Sequence, residues 1–175
     1  MNPKSFSVPD FYRGKTILMT GTTGFVGKVI LEKILFSLPE VKVVVLIRGK
    51  KGSSVMERFR KEIVDSECFS RIRERESNYV QWFLQRVTPI QGDLSQPHLG
   101  ISQPELEQIT SSVQVLINCA ASVDFNAALV NAIQDNIEGA LKVYALAREC
   151  SLLQSFVHIS TAYVNCNRRE QWIDE

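Results

Sequence analysis

The chain has little that would place it outside a cell or in a bilayer. It contains no run of about 18 consecutive apolar residues, so no membrane-crossing helix is predicted. Its first residues, MNPKSFSVPDFYRGK, hold no apolar stretch of the kind a signal peptide needs. Charge of one sign is also missing. Lys and Arg number 20 against 19 Asp and Glu, a net charge of +1, which gives no electrostatic reason to expect nucleic acid or an anionic membrane as partner. Histidine is scarce, with only His98 and His158. The four cysteines, Cys68, Cys119, Cys150 and Cys166, form no Cys-x-x-Cys pair and have no histidine at zinc-finger spacing, so no metal site is predicted. Scattered reduced thiols, with Cys119 in an apolar run, fit a soluble cytoplasmic protein.

What is present is an alternation of strand and helix patterns without internal repeat or low-complexity segment. Residues 1–14 read as a polar arm with Pro3 and Pro9, ending at Gly14. Residues 15–175 then form one domain, a size that can bury a core. Thr16 to Met19 is a strand that runs into Gly21-Thr22-Thr23-Gly24-Phe25-Val26-Gly27. From Phe25 the pattern turns helical, with Val26, Ile30 and Ile34 predicted on one face, Lys28 and Glu32 on another, and Pro39 as the stop. Val43 to Ile47 is an unbroken apolar run, which suits a parallel strand covered on both faces.

Residues 49–86 are rich in Arg, Lys and Glu, with Met56, Phe59, Ile63, Phe69, Ile72, Tyr79, Trp82 and Phe83 at roughly helical spacing. Two amphipathic helices are predicted there, as an insertion between the second and third strands. Acidic residues are mixed in throughout, which makes the charge a solvated helical face and not a nucleic-acid surface. Val87 to Ile90 and Val113 to Ile117 are further strands, separated by a loop and a short helix near 104–111. A long helix over about 127–149, with Ile133, Ile137, Leu141 and Ala145 at four-residue steps, leads to a fifth strand at Phe156 to Ile159. That order predicts an α/β fold, a right-handed, doubly wound parallel sheet.

A strand that turns through glycines into a helix offers free backbone N–H groups and the positive end of the helix dipole. That combination suits a dinucleotide pyrophosphate in a Rossmann fold. The whole loop from Gly21 to Gly27 is therefore a candidate cofactor site, although its Gly-x-x-Gly-x-x-Gly spacing differs from Gly-x-Gly-x-x-Gly. After the second strand, where an NAD site usually places a carboxylate on the adenosine ribose, stands Arg48, followed by Lys50 and Lys51. A guanidinium grips a 2′-phosphate that a carboxylate would repel, so NADPH is the predicted cofactor. Lys50 and Lys51 also fit a plain solvated charge cluster. Asp93-Leu94 and Asn118-Cys119-Ala120 follow the third and fourth strands, at the sheet edge where ligands bind. Asp93 suits the adenine amino group, or equally a turn cap.

Taken together, Gly21 to Gly27, Gly92-Asp93-Leu94, Asn118 to Phe125, Asp135 to Ala140 and the stretch from Val157 to Asn165 resemble the extended short-chain dehydrogenase/reductases. Within them the chain is most similar to the fatty acyl-CoA reductases, whose N-terminal domain is also called the male-sterility-type NAD-binding domain. The resemblance spans about residues 11–175 and implies reduction of long-chain fatty acyl-CoA, with the aldehyde or the alcohol as the product. It also implies that a Ser or Thr past the fifth strand works with a Tyr-x-x-x-Lys pair, which carries Thr161, with Ser160 beside it, over as the catalytic hydroxyl. A strand-terminal Thr bonding backbone is the other reading of Thr161. Asn136 matches a position of structural or relay importance.

No Tyr-x-x-x-Lys occurs: Tyr163 is followed four residues on by Asn167, and Tyr144 by Arg148. The sheet is accordingly expected to be incomplete on its C-terminal side, and the chain to bind NADPH without turning over. A related thioester (carboxylic acid) reductase domain, a nucleotide-sugar epimerase or dehydratase, and a truncated non-catalytic nucleotide-binding module are the competing expectations. Oligomeric state is not legible.

Overall fold

In the computed structural model of the chain, residues 7–38, 40–50, 52–168 and 172 are described. Five strands form one wholly parallel sheet: β1 (Thr16–Thr20), β2 (Lys42–Ile47), β3 (Val87–Gln91), β4 (Val115–Asn118) and β5 (Ser155–His158). Their spatial order is β3-β2-β1-β4-β5. The chain moves outward in one direction from β1 to β3, then returns to the other side of β1 for β4 and β5. Ile17 is flanked by Val43 on one side and Val115 on the other, so β1 is the central strand. Connections leave β1 and β4 in opposite directions, which opens a crevice at their carboxyl ends.

Successive β1 residues serve opposite layers, as strand geometry requires. Ile17 and Met19 pack with α2 (Phe25–Ser37), α3 (Val55–Phe59), α4 (Ser70–Arg75) and α5 (Tyr79–Arg86). Leu18 packs on the other face with α6 (Gln103–Ser112) and α8 (Gly139–Glu149). A sheet covered on both faces explains the unbroken apolar run of β2. Among the described residues no helix is long and apolar enough to cross a membrane.

Several elements depart from the sequence expectation, each for a physical reason. The arm contains a short helix, α1 (Val8–Tyr12), capped by the Ser7 side chain, and its Phe11 and Tyr12 pack against the core. In α2 the buried stripe is Gly27, Leu31, Ile34 and Leu35, while Val26 is exposed. This helix is apolar around most of its circumference, so periodicity alone does not select its inner face. Glu32 is buried rather than solvated because Arg71 of α4 binds its carboxylate at 2.5 and 2.7 Å. Pro39, expected as the stop, lies outside the described residues; α2 ends at Ser37.

The long helix runs as α7 (Leu129–Ile133), a π-helical turn at Gln134–Glu138, and α8. The π turn adds a residue per turn and rotates everything beyond it. Val143, Leu146 and Ala147 therefore face the sheet, and Ile133, Ile137, Leu141 and Ala145 lie on the exposed side.

The insertion holds three helical pieces rather than two. α3 continues into a π turn at Arg60–Val64; a 3-10 turn at Glu67–Phe69 leads into α4; α5 follows. Short capped pieces let the segment fold back on itself around aromatic rings. Phe83, fully buried, lies 5.9 Å from Phe59, 5.2 Å from Phe69 and 5.6 Å from Tyr79, centroid to centroid. Met56, at one of the predicted apolar positions, is exposed. Arg86 fastens the end of the insertion to the last turn of α2 and the connection before β2 by donating to the carbonyls of Leu35, Leu38 and Val41.

Two outcomes follow from this second core. Phe83→Ala removes a ring with three aromatic neighbours and should lower the unfolding free energy by about 3–5 kcal/mol, read from urea denaturation. Tyr79 donates to the Val64 carbonyl at 2.8 Å, and burial pushes its hydroxyl up to about 12. A raised acid holds its proton in the folded state. Its contribution is therefore complete below the ordinary tyrosine value near 10 and is lost as pH rises from there to about 12. The loss should be about 2–3 kcal/mol, and it should be absent from Tyr79→Phe when the two proteins are unfolded in parallel across that range.

Candidate functional site

The loop from Gly21 to Gly27 joins the buried end of β1 to the first turn of α2. Gly21 has φ 73°, and a Cβ there would sit 2.5 Å from the carbonyl carbon and oxygen of Cys119. At Gly27 a Cβ would lie 2.2 Å from the Gly21 carbonyl oxygen. These two positions pack backbone on backbone and leave no room for a side chain. Gly24 is the N-cap of α2 and supplies no side-chain cap, and no acidic residue occupies the first turn. The leading N–H groups of α2 thus keep their capacity to meet an anion. Thr22 is fully buried, and its hydroxyl oxygen has no hydrogen-bond partner among the described residues. An uncapped helix end, a cradle that a Cβ would fill and an orphan buried hydroxyl fit a pyrophosphate-bearing ligand.

The loop opens on a cleft of about 310 Å³. Of the residues predicted from sequence, Gly21, Thr23, Gly24, Arg48, Asp93, Leu94, Cys119 and Ala120 line it. Gly27, Thr22 and Asn118 lie behind its walls, and Phe25 and Val26 are exposed on the first turn of α2. Asn118 is turned inward: the Thr20 hydroxyl lies 2.5 Å from its Oδ1, and its Nδ2 lies 3.1 Å from Nδ1 of His158. The same Thr20 oxygen accepts from the backbone N–H groups of Cys119 and Ala120, both at 3.2 Å. Burial raises the Cys119 thiol above its ordinary range, so this cysteine brings no thiolate to the cleft.

At the β2 end, Arg48 is exposed and its guanidinium has no carboxylate partner among the described residues. Beside it stands Arg58, which the sequence reading missed. Arg58 is 7% exposed and lines the same cleft. It donates to the Arg48 carbonyl and forms two bonds with Glu62, each 2.8 Å. That pairing holds the Glu62 carboxyl below its ordinary range. The signal was present: Ser54 and Glu57 form a capping box, and Arg58 and Glu62 stand four apart on the helix it starts. Lys50 is exposed, and Lys51 lies outside the described residues.

Of its two expected roles, Asp93 shows the turn cap. Its Oδ1 accepts from the backbone and side chain of Ser95, at 2.9 and 2.8 Å, which is a turn cap, and the residue still lines the cleft. Leu46, Gly92, Ser95, Ala121, Ser122 and Asp135 complete the lining; of these, Ala121 is read from sequence as one of the small residues that let the chain pass close to a ligand. Asn136, in the π turn, accepts from the Ser122 N–H at 2.7 Å and donates to the Ser122 carbonyl at 3.1 Å. It thereby clamps the lip of the cleft to the long helix.

Ser160 and Thr161 are exposed beyond β5 and do not line this cleft. The Thr161 oxygen accepts from the Tyr163 N–H at 3.2 Å and caps a 3-10 turn at Ala162–Asn165. An acceptor role leaves its own proton available for donation. No group of residues suited to a metal ion is found among the described residues.

The match to the male sterility protein family runs over residues 19–175. The chain belongs to the male sterility protein family. It is 42% identical to fatty acyl-CoA reductase 1 of Rattus norvegicus and 40% identical to that of Homo sapiens, each over 170 residues, 97% of this chain and 32% of the relative. The chain therefore spans about a third of the length of the curated relatives it matches. Among solved structures it resembles the reductase domain of a non-ribosomal peptide synthetase from Mycobacterium tuberculosis (TM-score 0.69, 25% identity, 87% of this chain and 34% of that one). It also resembles the terminal R domain of the myxalamid pathway (TM-score 0.67, 26% identity, 87% and 36%). A UDP-N-acetylglucosamine 4-epimerase from Methanobrevibacter ruminantium, at 17% identity and TM-score 0.63 over 93% of this chain and 43% of that one, shares the fold. Membership in this family makes the chain the NAD-binding part of a reductase.

The tightest point of the loop supplies a test. Gly27→Ala places a methyl where the Gly21 carbonyl stands, and the obstacle is backbone that cannot rotate away. The variant should lose about 1–3 kcal/mol of stability in urea denaturation. Gly49→Ala, where an added Cβ meets nothing within 4 Å, should change it little.

Proposed function

We propose that this chain is the NADPH-binding part of an enzyme that reduces long-chain fatty acyl-CoA thioesters to the aldehyde, and onward to the alcohol. The observation that carries the cofactor reading is the pair of arginines on one wall of the cleft. Glu62 neutralises Arg58, and Arg58 in turn holds the Arg48 carbonyl. The backbone of Arg48 is thus fixed while its guanidinium has no acidic partner among the described residues. An unpaired guanidinium on a fixed backbone suits the 2′-phosphate that separates NADPH from NADH.

The glycine loop and the start of α2 would hold the pyrophosphate, and Asp93 the adenine side. When bound, NADPH would supply a hydride to the thioester carbonyl carbon, whose bond to sulfur would then break to release the coenzyme A thiol and leave the aldehyde. Thr161, with Ser160, would donate a hydrogen bond to that carbonyl oxygen, because its own oxygen is already an acceptor of the Tyr163 N–H. No Tyr-x-x-x-Lys pair occurs in the 175 residues, so the chain is expected to bind NADPH and not to turn over. The similarity to fatty acyl-CoA reductases over 97% of the chain supports the substrate class. Balanced charge and unpaired cysteines suit a cytoplasmic setting.

Fluorescence titration of the 175-residue chain with NADPH and NADH tests the reading. NADPH should bind more tightly. Arg48→Ala should weaken it by about 10- to 100-fold and leave NADH within about twofold, the cost of one charge-assisted contact. Tighter NADH binding that Arg48→Ala leaves unchanged would overturn the cofactor assignment.

A further inference from the structure

The two nitrogens of a histidine ring are different groups, and here the surrounding bonds decide which one carries the proton. The hydroxyl of Thr20 has one proton. Its oxygen already accepts from the N–H groups of Cys119 and Ala120, each at 3.2 Å. The only role left for that hydroxyl toward Asn118 is donation, at 2.5 Å, so the carbonyl end of the Asn118 amide must face it. The NH2 end then faces Nδ1 of His158 at 3.1 Å. That nitrogen must present a lone pair, which leaves the ring proton on Nε2.

Reversing the amide would turn a third donor toward the Thr20 oxygen and leave the Thr20 proton with no acceptor. The donors therefore all point one way, from the N–H groups of the turn at Cys119 and Ala120 through Thr20 and Asn118 outward to His158, the final acceptor. That turn touches the glycine loop: a Cβ on Gly21 would stand 2.5 Å from the Cys119 carbonyl and 2.6 Å from the Ala120 nitrogen. Asn118 is completely buried, so an amide group that loses its partner there is costly to leave unsatisfied.

We propose that His158 is a positioning residue of the dinucleotide site: its Nδ1 lone pair fixes the Asn118 amide, and through Thr20 it holds the Cys119–Ala120 turn against the glycine loop. The effect on ligand affinity rests on the dinucleotide reading; the effect on the turn does not. His158 sits on the edge strand β5, exposed to solvent, and reaches the cleft only through these bonds. The role needs an acceptor at one position of the side chain, which Asn supplies with its Oδ1 and Phe does not.

The test uses the 175-residue chain, His158→Phe and His158→Asn. Nitrogen-15 spectra of the native protein at mildly alkaline pH should show His158 Nδ1 unprotonated and Nε2 protonated. Amide exchange at Cys119 and Ala120 should quicken about tenfold in the Phe variant and return to the native rate in the Asn variant. NADPH affinity should follow the same order, about tenfold weaker for Phe and within about threefold of native for Asn. A protonated Nδ1, unchanged exchange in the Phe variant, or an Asn variant no better than Phe would overturn the proposal. If the native chain fails to bind NADPH while the tautomer and exchange results hold, the cofactor reading falls and the positioning role of His158 stands.

Discussion

The structure depends on how closely two backbones approach where β1 and β4 part. The glycine at position 21 lets the turn after β4 lie against it, and a side chain of any size would push the two apart. The approach is held from below by one hydroxyl, that of Thr20, which receives two backbone N–H groups of that turn and points its own proton at Asn118. The crevice of a doubly wound sheet is a consequence of topology. That it is narrow and lined by backbone is a consequence of these contacts.

The insertion after β2 gives the cleft its charged wall. Its own aromatic core, centred on Phe83, lets a segment rich in charge fold as part of the domain. That core sets Arg58 where it can be neutralised by Glu62 and still hold the Arg48 carbonyl. Arg71 with Glu32, and Arg86 with the carbonyls at and just beyond the end of α2, tie the same segment back to α2 and the connection that follows it. A segment with the composition of a solvated surface thus carries the group that orders one wall of the cleft.

Much of this was legible in the residues. The five strands, their parallel order and the glycine loop follow from apolar runs and from the placement of Gly21, Gly24 and Gly27. Eight of the expected cofactor residues line one cleft, drawn from the ends of four different elements. Helix faces were less legible. In α2 apolar residues surround the axis, and only the arrival of Arg71 decides that Glu32 goes inside. Asn118 reads as a ligand contact by position, but its amide is consumed by Thr20 and His158. The capping box and the four-residue spacing of Arg58 and Glu62 were legible as a helix and an ion pair, but the contact of Arg58 with a carbonyl ten residues earlier leaves no trace in spacing.

The π turn at Gln134–Glu138 sits in the middle of the longest helical stretch and divides its labour. Beyond the turn, Val143, Leu146 and Ala147 are seated on the sheet; within it, Asn136 grips the backbone of Ser122 at the lip of the cleft. One extra residue per turn is a phase setting, the offset between two cogs cut on a single shaft. Removing that residue would swing everything on the N-terminal side by about 100° while the core contacts of α8 stayed seated. The lip would then lose its clamp without any buried apolar side chain being disturbed, so the width of the entrance is written in helix phase and not in packing.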